Sequence, residues 1–364
     1  MAYTVAVAGA TGYAGGEVLR LLADRPDFRI TTVTAHSTVG EKLGDLMPHI
    51  PQLAQLTVED TTPENLNGHD VIFLALPHGA SGELASHLDP NSVVVDLGAD
   101  HRLEEKPAWD EFYGGTFYEH WAYGMPELVI GKDAVTGEYL KQRANLAGVK
   151  RIAGPGCNVT ATTLALQPAF AEGLVETQDI VANLVVGYSG AGKSLKKTYL
   201  LASEAMGSAL AYGVGGTHRH IPEILQNFAH AEGFDGTHAD DFAMSFTPVL
   251  APMSRGIFAS VSARLSEKAL SMSDAAIRRA WEKAYGDEHF MQLLAPGKIP
   301  ATGGVLGSNS AQLQVVVDHK AGRLLALSAI DNLDRGTASQ AIQALNIALG
   351  IKESQGLTTI GVAP

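Results

Sequence analysis

The 364-residue chain has only one cysteine, Cys157, so its thiol has no internal disulfide partner. A lone thiol of this kind is either a small buried apolar group or a nucleophile, and its surroundings must decide between the two. Basic residues are also scarce: 26 Lys and Arg stand against 39 Asp and Glu, which gives a formal net charge of −13. Such a chain repels a phosphate backbone, so we expect no nucleic acid partner.

Long apolar runs are missing as well, since none approaches the roughly 20 residues that cross a bilayer. The chain runs from Met1 to Gly9 directly into a strand pattern, with no basic leader region. We therefore expect a cytoplasmic protein with no membrane partner. Hydrophobic residues make up 46% of the chain and charged residues 18%, typical of a globular enzyme. At roughly 150 residues per domain, the length favours two domains.

Strand-like and helix-like segments alternate through the first third of the chain. Continuous apolar runs such as Val71 to Leu76 suit strands that are covered on both faces. The pattern therefore predicts an α/β fold that begins with a Rossmann-like, doubly wound parallel sheet. The predicted strands are 4–10, 29–35, 71–76 and 92–98, and the predicted helices are 15–25 and 81–88.

The pattern of apolar and polar residues changes after a predicted helix that begins near Asn158. Longer strands follow, in which Ile257, Ala259 and Val261 alternate with more polar residues, so one face of their sheet is packed. This predicts an α+β catalytic and dimerisation domain with a mixed or antiparallel sheet. The predicted strands are 180–186, 242–250, 256–265, 311–319 and 323–330.

The final predicted helix, 336–349, has apolar residues at helical spacing and is expected to fold back onto the first domain. We therefore predict a dinucleotide-binding domain over residues 1–156, with residues 333–364 packed on it. Residues 157–332 form the predicted catalytic and oligomerisation domain.

A glycine-rich run, Gly9-Ala-Thr-Gly12-Tyr-Ala-Gly15, joins the first strand to the first helix. Glycines at this spacing let the backbone approach a pyrophosphate while the helix N-terminus faces the anion, although a simple tight turn is the alternative. The second strand ends near His36 and Ser37 without the carboxylate that holds the ribose of NAD, and Lys42 follows. This predicts NADP(H) as the cofactor.

Cys157 lies in a Gly-Pro-Gly-Cys turn that leads into a helix-forming stretch. A thiol at a helix N-terminus experiences the positive end of the helix dipole, which favours the reactive thiolate. Cys157 is therefore the candidate nucleophile. The alternative is a small buried apolar residue, which is the commonest role of free cysteines.

Two histidines flank an arginine in Thr217-His218-Arg219-His220. If the segment is extended, His218 and His220 point to one side and Arg219 to the other. One imidazole can act as a general acid and base, because the ordinary pKa of histidine lies near neutrality. A hydrogen-bonded structural pair is the alternative. A metal site needs a third ligand, which no neighbouring Cys or His supplies, so no metal is predicted.

A second glycine-rich run, Gly187 to Ser194, satisfies the phosphate-loop pattern GxxxxGK[ST], and Leu313 to Asp318 resembles a Walker B strand. By itself this pair predicts an NTPase. The nucleotide fold is already assigned to the first sheet, however, and the alternating strands after residue 242 do not suit the parallel core of an NTPase. Lys193 could instead bind an acyl phosphate.

Together these motifs resemble the N-acetyl-gamma-glutamyl-phosphate reductase family of arginine biosynthesis, over nearly the whole chain. In the family we expect phenylalanine at position 101, where this chain has His101. The motifs that carry the resemblance are Gly9 to Gly15, Leu76-Pro-His-Gly79, Gly98-Ala-Asp-His-Arg102, Tyr123-Gly-Met-Pro-Glu127, Pro155-Gly-Cys157, Ser189-Gly-Ala-Gly192, His218-Arg-His220-Ile-Pro-Glu223 and Asp331-Asn332-Leu-Asp-Arg-Gly336.

The resemblance implies that N-acetyl-glutamyl 5-phosphate and NADPH give N-acetyl-glutamate 5-semialdehyde, phosphate and NADP⁺. Cys157 would form a thioester, and His218, or else His220, would give a proton to the developing alkoxide. The implied cofactor residues are Gly9, Thr11, Gly12, Tyr13, Ala14, Gly15, His36, Ser37, Pro77, Ser189, Gly190 and Asn332. The implied substrate residues are Arg102, Lys193, Arg219, Glu223 and Arg255, although each cation alone could be a solvated surface charge.

The partners expected from the resemblance are a small anionic acyl phosphate, inorganic phosphate, and copies of the chain itself in a homodimer or homotetramer. Aspartyl or aminoadipyl phosphate are alternative substrates, because one methylene changes binding by only about 1–3 kcal/mol. An NTPase and a non-catalytic dinucleotide-binding regulator are the alternatives of other classes.

Overall fold

The structure is a computed structural model that describes residues 2–193 and 202–363. The strands are β1 Tyr3–Ala8, β2 Phe28–Ala35, β3 Val58–Asp60, β4 Val71–Leu74, β5 Val93–Asp96, β6 Ala122–Tyr123, β7 Val129–Lys132, β8 Tyr139–Lys141, β9 Arg151–Ala153, β10 Ile180–Gly187, β11 Leu210–Ala211, β12 Met244–Ala251, β13 Ile257–Arg264, β14 Met291–Leu293, β15 Ala311–Asp318 and β16 Arg323–Ile330. The α-helices are α1 Tyr13–Leu22, α2 Leu43–Leu46, α3 Pro63–Leu66, α4 Ala80–Ala85, α5 Lys106–Phe112, α6 Cys157–Ala171, α7 Ala202–Ala205, α8 Ile221–Glu232, α9 Glu267–Leu270, α10 Asp274–Tyr285 and α11 Ser339–Ala348.

The N-terminal sheet has the strand order β3-β2-β1-β4-β5-β9-β6, and all of its strand pairs are parallel. Every residue of β4 and β5 is buried, because helices and loops cover both faces of the sheet. The direction of winding reverses between β1 and β4, and ligands of such sheets bind at this reversal, at the carboxyl ends of the strands. The predicted Rossmann-like, doubly wound sheet is confirmed.

The second sheet has the order β11-β12-β10-β13-β16-β15-β14 and is mixed. The β10–β12 and β14–β15 pairs are parallel, whereas β10–β13, β13–β16 and β15–β16 are antiparallel. One face packs against α6, which is buried along its whole length after Cys157. The predicted α+β domain with a mixed sheet is confirmed.

The other face of the second sheet is only partly covered. Alternate residues of its strands point inward and are fully buried, while Val185 and Val316 on the outer face remain 39% and 43% exposed. Phe258 and Leu327 on the neighbouring strands are half-buried on the same outer face. This apolar outer face, centred on Val185, Phe258, Leu327 and Val316, is called the outer sheet face below.

The end of the chain returns to the first sheet. A π-helical turn, Asp334–Ala338, leads into α11. Ala341, Ile342 and Leu345 of this helix lie in the same hydrophobic core as Val5 and Leu19. Within the described residues, no helix is long and apolar enough to span a membrane.

Candidate active site

The loop between β1 and α1 brings backbone against the place where a ligand would lie. Gly9 has a φ of +72°, and a Cβ on this residue would lie 2.9 Å from the carbonyl carbon of Ala75. A Cβ on Gly15 would lie 2.9 Å from Cα of Ala10, so only glycine lets α1 pack onto the loop. Gly12 is the N-cap of α1 and has no side-chain cap, which leaves helix N–H groups available to an anion.

A cleft of about 570 Å³ opens above this loop at the carboxyl ends of the parallel strands. All of the predicted cofactor residues except Gly15, which is buried beneath the loop, line the cleft. Asn332 is held at one end of it: its side-chain oxygen accepts the N–H of Gly256 at 2.8 Å, and its amide donates to Ser189 Oγ at 2.9 Å.

The two lysines singled out by the sequence have different surroundings from those expected. Lys42 does not line the cleft, because its ammonium donates to the carbonyl of Gln55 and to Thr57 Oγ1, each at 3.0 Å. Lys193 does line the cleft, and its ammonium donates to the carbonyl of Thr11 at 2.9 Å. The Gly187–Lys193 run therefore reaches across to the first glycine loop. Ser194, which completes that motif, lies outside the described residues.

A second cavity, of about 490 Å³, adjoins the cleft. The two share Arg102, Cys157 and His220 among their lining residues, so Cys157 stands where they meet. His218 and Arg219 line this second cavity but not the first cleft. We refer to the first as the cofactor cleft and to the second as the substrate cavity.

Cys157 is the first residue of α6, with Gly156 as its N-cap, as the sequence predicted. The predicted thiolate, however, is not favoured. Burial raises the pKa of the Cys157 thiol to about 11, against the opposing influence of the Asn158 N–H. The N-terminal N–H group still favours the thiolate, as expected from the helix dipole, but the cost of moving a charge out of water outweighs this effect.

The histidine segment is a turn, so the extended conformation that would place Arg219 opposite the two imidazoles is not adopted, and all three residues line the substrate cavity. The rings of His218 and His220 lie 4.8 Å apart in an edge-on arrangement. Burial lowers the pKa of His218 to about 4 and lowers that of His220 well below its ordinary value. Both imidazoles are neutral at pH 7, which corrects the expectation of a group that titrates near neutrality.

His220 packs against the turn that carries the cysteine. A Cβ on Gly156 would lie 2.6 Å from His220 Nε2, so the ring fills the space that a side chain would need. The Nδ1 atom of His220 is buried and has no hydrogen-bond partner among the described residues. The Nδ1 of His218 accepts the backbone N–H of His220 at 3.1 Å, so the neutral His218 ring carries its proton on Nε2.

Arg102 is held rigidly at the junction of the two cavities and is only 8% exposed. Its guanidinium donates to the carbonyls of Gly154 and Leu97, at 2.7 and 2.8 Å. Glu223 lies 3.5 Å from the same guanidinium but is fully buried and lines neither cavity. Its Oε1 accepts the N–H of Gly156 at 3.0 Å, so Glu223 fixes the turn before the cysteine.

Arg255 is not brought to the substrate cavity. Its guanidinium pairs with three carboxylates, those of Glu17 on α1 and of Asp331 and Asp334 beside Asn332. Against the opposing effect of burial, the hydrogen bonds and charges of Arg255 and Arg20 lower the pKa of Glu17, whereas burial raises the pKa of Asp334 to about 8. This group, with Arg20, is the interdomain ion cluster discussed below.

Sequence reasoning missed two residues that line the substrate cavity, His78 and Tyr113. The Arg219 guanidinium lies 2.7 Å from His78 Nδ1 and 5.7 Å from the centre of the Tyr113 ring. His78 stands in the Leu76 to Gly79 motif and could have been found there, but nothing in the sequence around Tyr113 signals its position. His101 lines neither cavity; it stacks on Trp121 with ring centres 3.6 Å apart.

Two family models match the chain. Residues 4–135 match the semialdehyde dehydrogenase NAD binding domain, and residues 157–332 match the semialdehyde dehydrogenase dimerisation domain. The first supports a nicotinamide cofactor in the cleft. In the described part of the chain, no group of three or more His, Cys, Asp or Glu could hold a metal ion.

Curated relatives extend over the full chain. N-acetyl-gamma-glutamyl-phosphate reductase of Bifidobacterium longum (strain DJO10A) is 72% identical over 100% of this chain and 99% of its own length. The chain belongs to the N-acetyl-gamma-glutamyl-phosphate reductase family. A more distant member of this reductase family, from Leifsonia xyli, is 54% identical over the full length of both chains.

Solved structures show the same fold outside the reductase family. Aspartate semialdehyde dehydrogenase II of Vibrio cholerae has a TM-score of 0.67 at 13% identity, covering 96% of this chain and 99% of its own. The aspartate semialdehyde dehydrogenase of Francisella tularensis has a TM-score of 0.64 at 13% identity, covering 95% of this chain and 99% of its own. At this identity the likeness extends to the fold alone.

Proposed function

We propose that this chain catalyses the NADPH-dependent reduction of N-acetyl-glutamyl 5-phosphate to N-acetyl-glutamate 5-semialdehyde, with release of phosphate, in arginine biosynthesis. The observation that carries the proposal is the position of Cys157 where the cofactor cleft and the substrate cavity meet. A sulfur in that position can hold an acyl group within reach of a reduced nicotinamide. The full-length likeness to reductases of this name supports the choice of substrate.

The described residues of the cleft fit a dinucleotide. The uncapped N-terminus of α1 and the close-packed glycines at 9 and 15 suit a pyrophosphate, and Ser189 and Asn332 lie at the other end for the nicotinamide. A bound reduced cofactor would supply the hydride. The end of β2 presents His36, Ser37 and Thr38 and no carboxylate, which supports NADP(H) over NAD(H).

The first chemical step needs a thiolate, and the resting thiol is protonated at pH 7. His220 is the candidate acceptor for this proton, because its ring lies against Gly156, the residue before Cys157, and lines the same two cavities as Cys157. The sulfur then bonds to the acyl carbon, the bond from that carbon to the phosphate oxygen breaks, and phosphate leaves with the bonding electrons. The product is a thioester on Cys157, which divides one difficult displacement into two easier steps.

His218 would act on the oxygen of the reacting carbonyl. Its neutral ring has a proton on Nε2 and lines the substrate cavity, so it can donate a hydrogen bond to negative charge that develops there. Once a hydride is added to the thioester carbon, the carbon–sulfur bond would break, the aldehyde would leave, and the thiolate would take back its proton from His220, which restores the resting site. In this proposal His220 accepts the proton of the thiol, and His218 stabilises the oxyanion.

Arg102 and Arg219 are the cations that line the substrate cavity among the described residues. A protein with a net charge of −13 needs such local cations to receive an anionic substrate. Arg102, fixed by two carbonyls beside Cys157, suits the phosphate that leaves. Arg219 lies farther out, against His78 and Tyr113, and suits the carboxylate.

The chain would divide into a dinucleotide-binding domain over 1–156 with 333–364 packed on it, and a catalytic and oligomerisation domain over 157–332. The outer sheet face suits the interface of a homodimer, from which a homotetramer can be built. Its apolar side chains lie in a segment that matches a dimerisation domain, and association would remove them from water.

The decisive test is the reverse reaction, NADP⁺ reduction by N-acetyl-glutamate 5-semialdehyde, which should require phosphate or arsenate. Cys157→Ser should abolish turnover while the variant still binds NADPH. Rapid quench and mass spectrometry should find an acyl adduct on Cys157 in the wild-type protein. A panel with the aspartyl and aminoadipyl analogues tests the substrate: higher kcat/KM with either would overturn the N-acetyl-glutamyl assignment.

A further inference from the structure

The position of Lys193 suggests a role in the cofactor cleft. This residue follows β10 in the second sheet, yet its ammonium donates to the carbonyl of Thr11 in the glycine loop of the first sheet. Lys193 is exposed on the cleft, and within residues 2–193 and 202–363 its hydrogen-bond partner is this neutral carbonyl. The ammonium can therefore turn to a phosphate without breaking an ion pair.

The other basic groups near the cleft are already committed. Arg102 lines it, but its guanidinium donates to the carbonyls of Gly154 and Leu97 and lies beside Glu223. Lys42, the lysine favoured by the sequence, donates to Gln55 and Thr57 outside the cleft. Among the described residues that line the cleft, Lys193 is thus the cation available to a cofactor phosphate.

The surroundings of the ammonium indicate which phosphate it meets. Thr11, whose carbonyl holds Lys193, also lies beside the end of β2, where the Thr38 and Thr11 hydroxyl oxygens are 3.4 Å apart. In folds of this kind the end of the second strand holds the adenosine ribose. The pyrophosphate, by contrast, is served by the backbone N–H groups at the N-terminus of α1 and needs no ammonium.

We propose that Lys193 binds the adenosine 2′-phosphate of NADPH and sets the preference for NADPH over NADH. The proposal rests on the proposed function insofar as NADPH is the cofactor. The 2′-phosphate is a dianion, and the described lining of the cleft contains no carboxylate to repel it. His36 and Ser37 lie on the same part of the lining and supply further hydrogen-bonding groups. A residue of the second domain would thus recognise the 2′-phosphate of a nucleotide that the first domain binds.

The test is a fluorescence titration of NADPH and NADH in the absence of acyl phosphate, on wild-type protein and on Lys193→Met, Lys193→Arg and Lys150→Met. Lys193→Met should raise the Kd for NADPH about tenfold or more and leave the Kd for NADH unchanged, because a charge-assisted hydrogen bond is lost. Lys193→Arg should keep most of the preference for NADPH. Lys150→Met removes an exposed lysine charge elsewhere in the first domain and should change neither Kd.

Three results would overturn the proposal. Equal weakening for both nucleotides would assign the ammonium to the pyrophosphate, and a higher KM for acyl phosphate with both Kd values unchanged would assign it to the substrate. Loss of NADPH binding in Lys42→Met but not in Lys193→Met would return the role to Lys42. The proposed function fails separately, when wild-type protein binds NADPH but does not reduce N-acetyl-glutamyl 5-phosphate.

Discussion

The single side chain on which the chemistry depends, Cys157, lies beside two imidazoles that are neutral at pH 7, and its own resting form is the thiol. A buried ion pair of thiolate and imidazolium would place two charges in a site with little water. The neutral pair avoids this cost. Under the proposed function, the sulfur becomes a nucleophile only when His220 accepts its proton, so we expect the charge to form with substrate present in the cavity.

Alkylation of Cys157 by iodoacetamide in the free protein should therefore be slow at pH 7. The rate should rise about tenfold per pH unit up to pH 10, since the reactive thiolate grows in that proportion below a pKa of about 11. The measurement is the alkylated fraction against time by mass spectrometry, with the unfolded chain as the control for an ordinary thiol. A plateau reached below pH 8 would show that the folded protein stabilises the thiolate after all.

The glycine before the cysteine is a second residue with a specific requirement. Gly156→Ala would put a methyl group 2.6 Å from His220 Nε2, so the ring or the turn must move. We expect kcat to fall about a hundredfold, because small displacements of reacting groups are costly, while the Kd for NADPH stays within a factor of two. Gly173→Ala, after the end of α6, meets no neighbour but has a φ of +59°, so it is the control for backbone strain away from the site. If the Gly156→Ala variant keeps its kcat, the position of His220 is not important for the reaction.

The sequence revealed these residues but not their protonation states. Cys157, His218 and His220 could be chosen because each type is rare in this pattern and suited to the chemistry. Their pKa values depend on burial, which residues distant in the chain help to produce, as Tyr113 does in the lining of the substrate cavity. The position of Arg255 was missed for the same reason, since its three carboxylate partners come from α1 and the 331–334 loop.

Secondary-structure elements from the two sheets are joined by the interdomain ion cluster. Arg255, at the turn between β12 and β13, holds Glu17 of α1 and Asp331 beside Asn332. Glu17 and Asp331 are 4% and 0% exposed, so removing the guanidinium leaves buried carboxylates with too little positive charge. The cluster thereby fixes the helix under the pyrophosphate relative to the loop under the nicotinamide.

Arg255→Met should lower the free energy of unfolding by about 3 kcal/mol, the cost typical of breaking a buried pair from one side. It should also raise the Kd for NADPH more than the KM for acyl phosphate. Urea denaturation and fluorescence titration are the measurements. Arg264→Met removes an arginine from an exposed pair with Asp179 and should cost less than about 1 kcal/mol. Equal losses in the two variants would contradict the role of the cluster.

Elements with strong periodicity were predicted closely, and the weak ones were not. The predicted strand 323–330 coincides with β16, whereas the predicted strand 71–76 ends two residues early, at Leu74. β6 has two residues and completes one edge of the first sheet, which no local pattern could reveal. The π-helical turn before α11 was also unforeseen, because it forms under tertiary constraint at Asp334–Ala338.

The stability of the whole protein depends on buried acidic groups, whose loss of a proton as the pH rises destabilises the fold. Burial raises the pKa of Asp96, at the end of β5, to about 7. The folded protein thus keeps a proton that the unfolded chain releases near pH 4. The stability that this proton contributes is complete below pH 4 and is lost as the pH rises through 7. Glu127 has the opposite pH dependence, because Arg335 and Gln343 hold its pKa at about 2 against burial. The stability that its carboxylate contributes is lost as the pH falls through 2.

Asp96→Asn removes the titrating group but keeps an oxygen for the Gly98 N–H, which Asp96 accepts at 2.7 Å. Between pH 5 and 8.5 the variant should gain about 3 kcal/mol of stability relative to wild type, since only the wild type loses its proton there. Urea denaturation at several pH values gives the difference. Asp110→Asn, on an exposed pair with Lys106, should show a constant difference. A constant difference for Asp96→Asn too would place its pKa near the ordinary value.

Association of whole chains through the outer sheet face can be tested with one substitution. Val185→Glu puts a charge on a side chain that is 39% exposed, which the single chain tolerates but an apolar interface does not. Light scattering after size exclusion should show a shift from dimer or tetramer to a smaller species. Val135→Glu, at a valine that is 93% exposed near the β7–β8 hairpin, should leave the mass unchanged. An unchanged mass for Val185→Glu would place the interface elsewhere.

The return of α11 to the first sheet has a consequence for how the protein is made. A ribosome produces the glycine loop and β1 to β5 long before Ala341, Ile342 and Leu345, which belong to the same hydrophobic core. The nascent nucleotide-binding half must therefore wait, with apolar surface exposed, until more than 330 residues have been synthesised. A chain that terminates before the last helix would leave part of this core exposed to water.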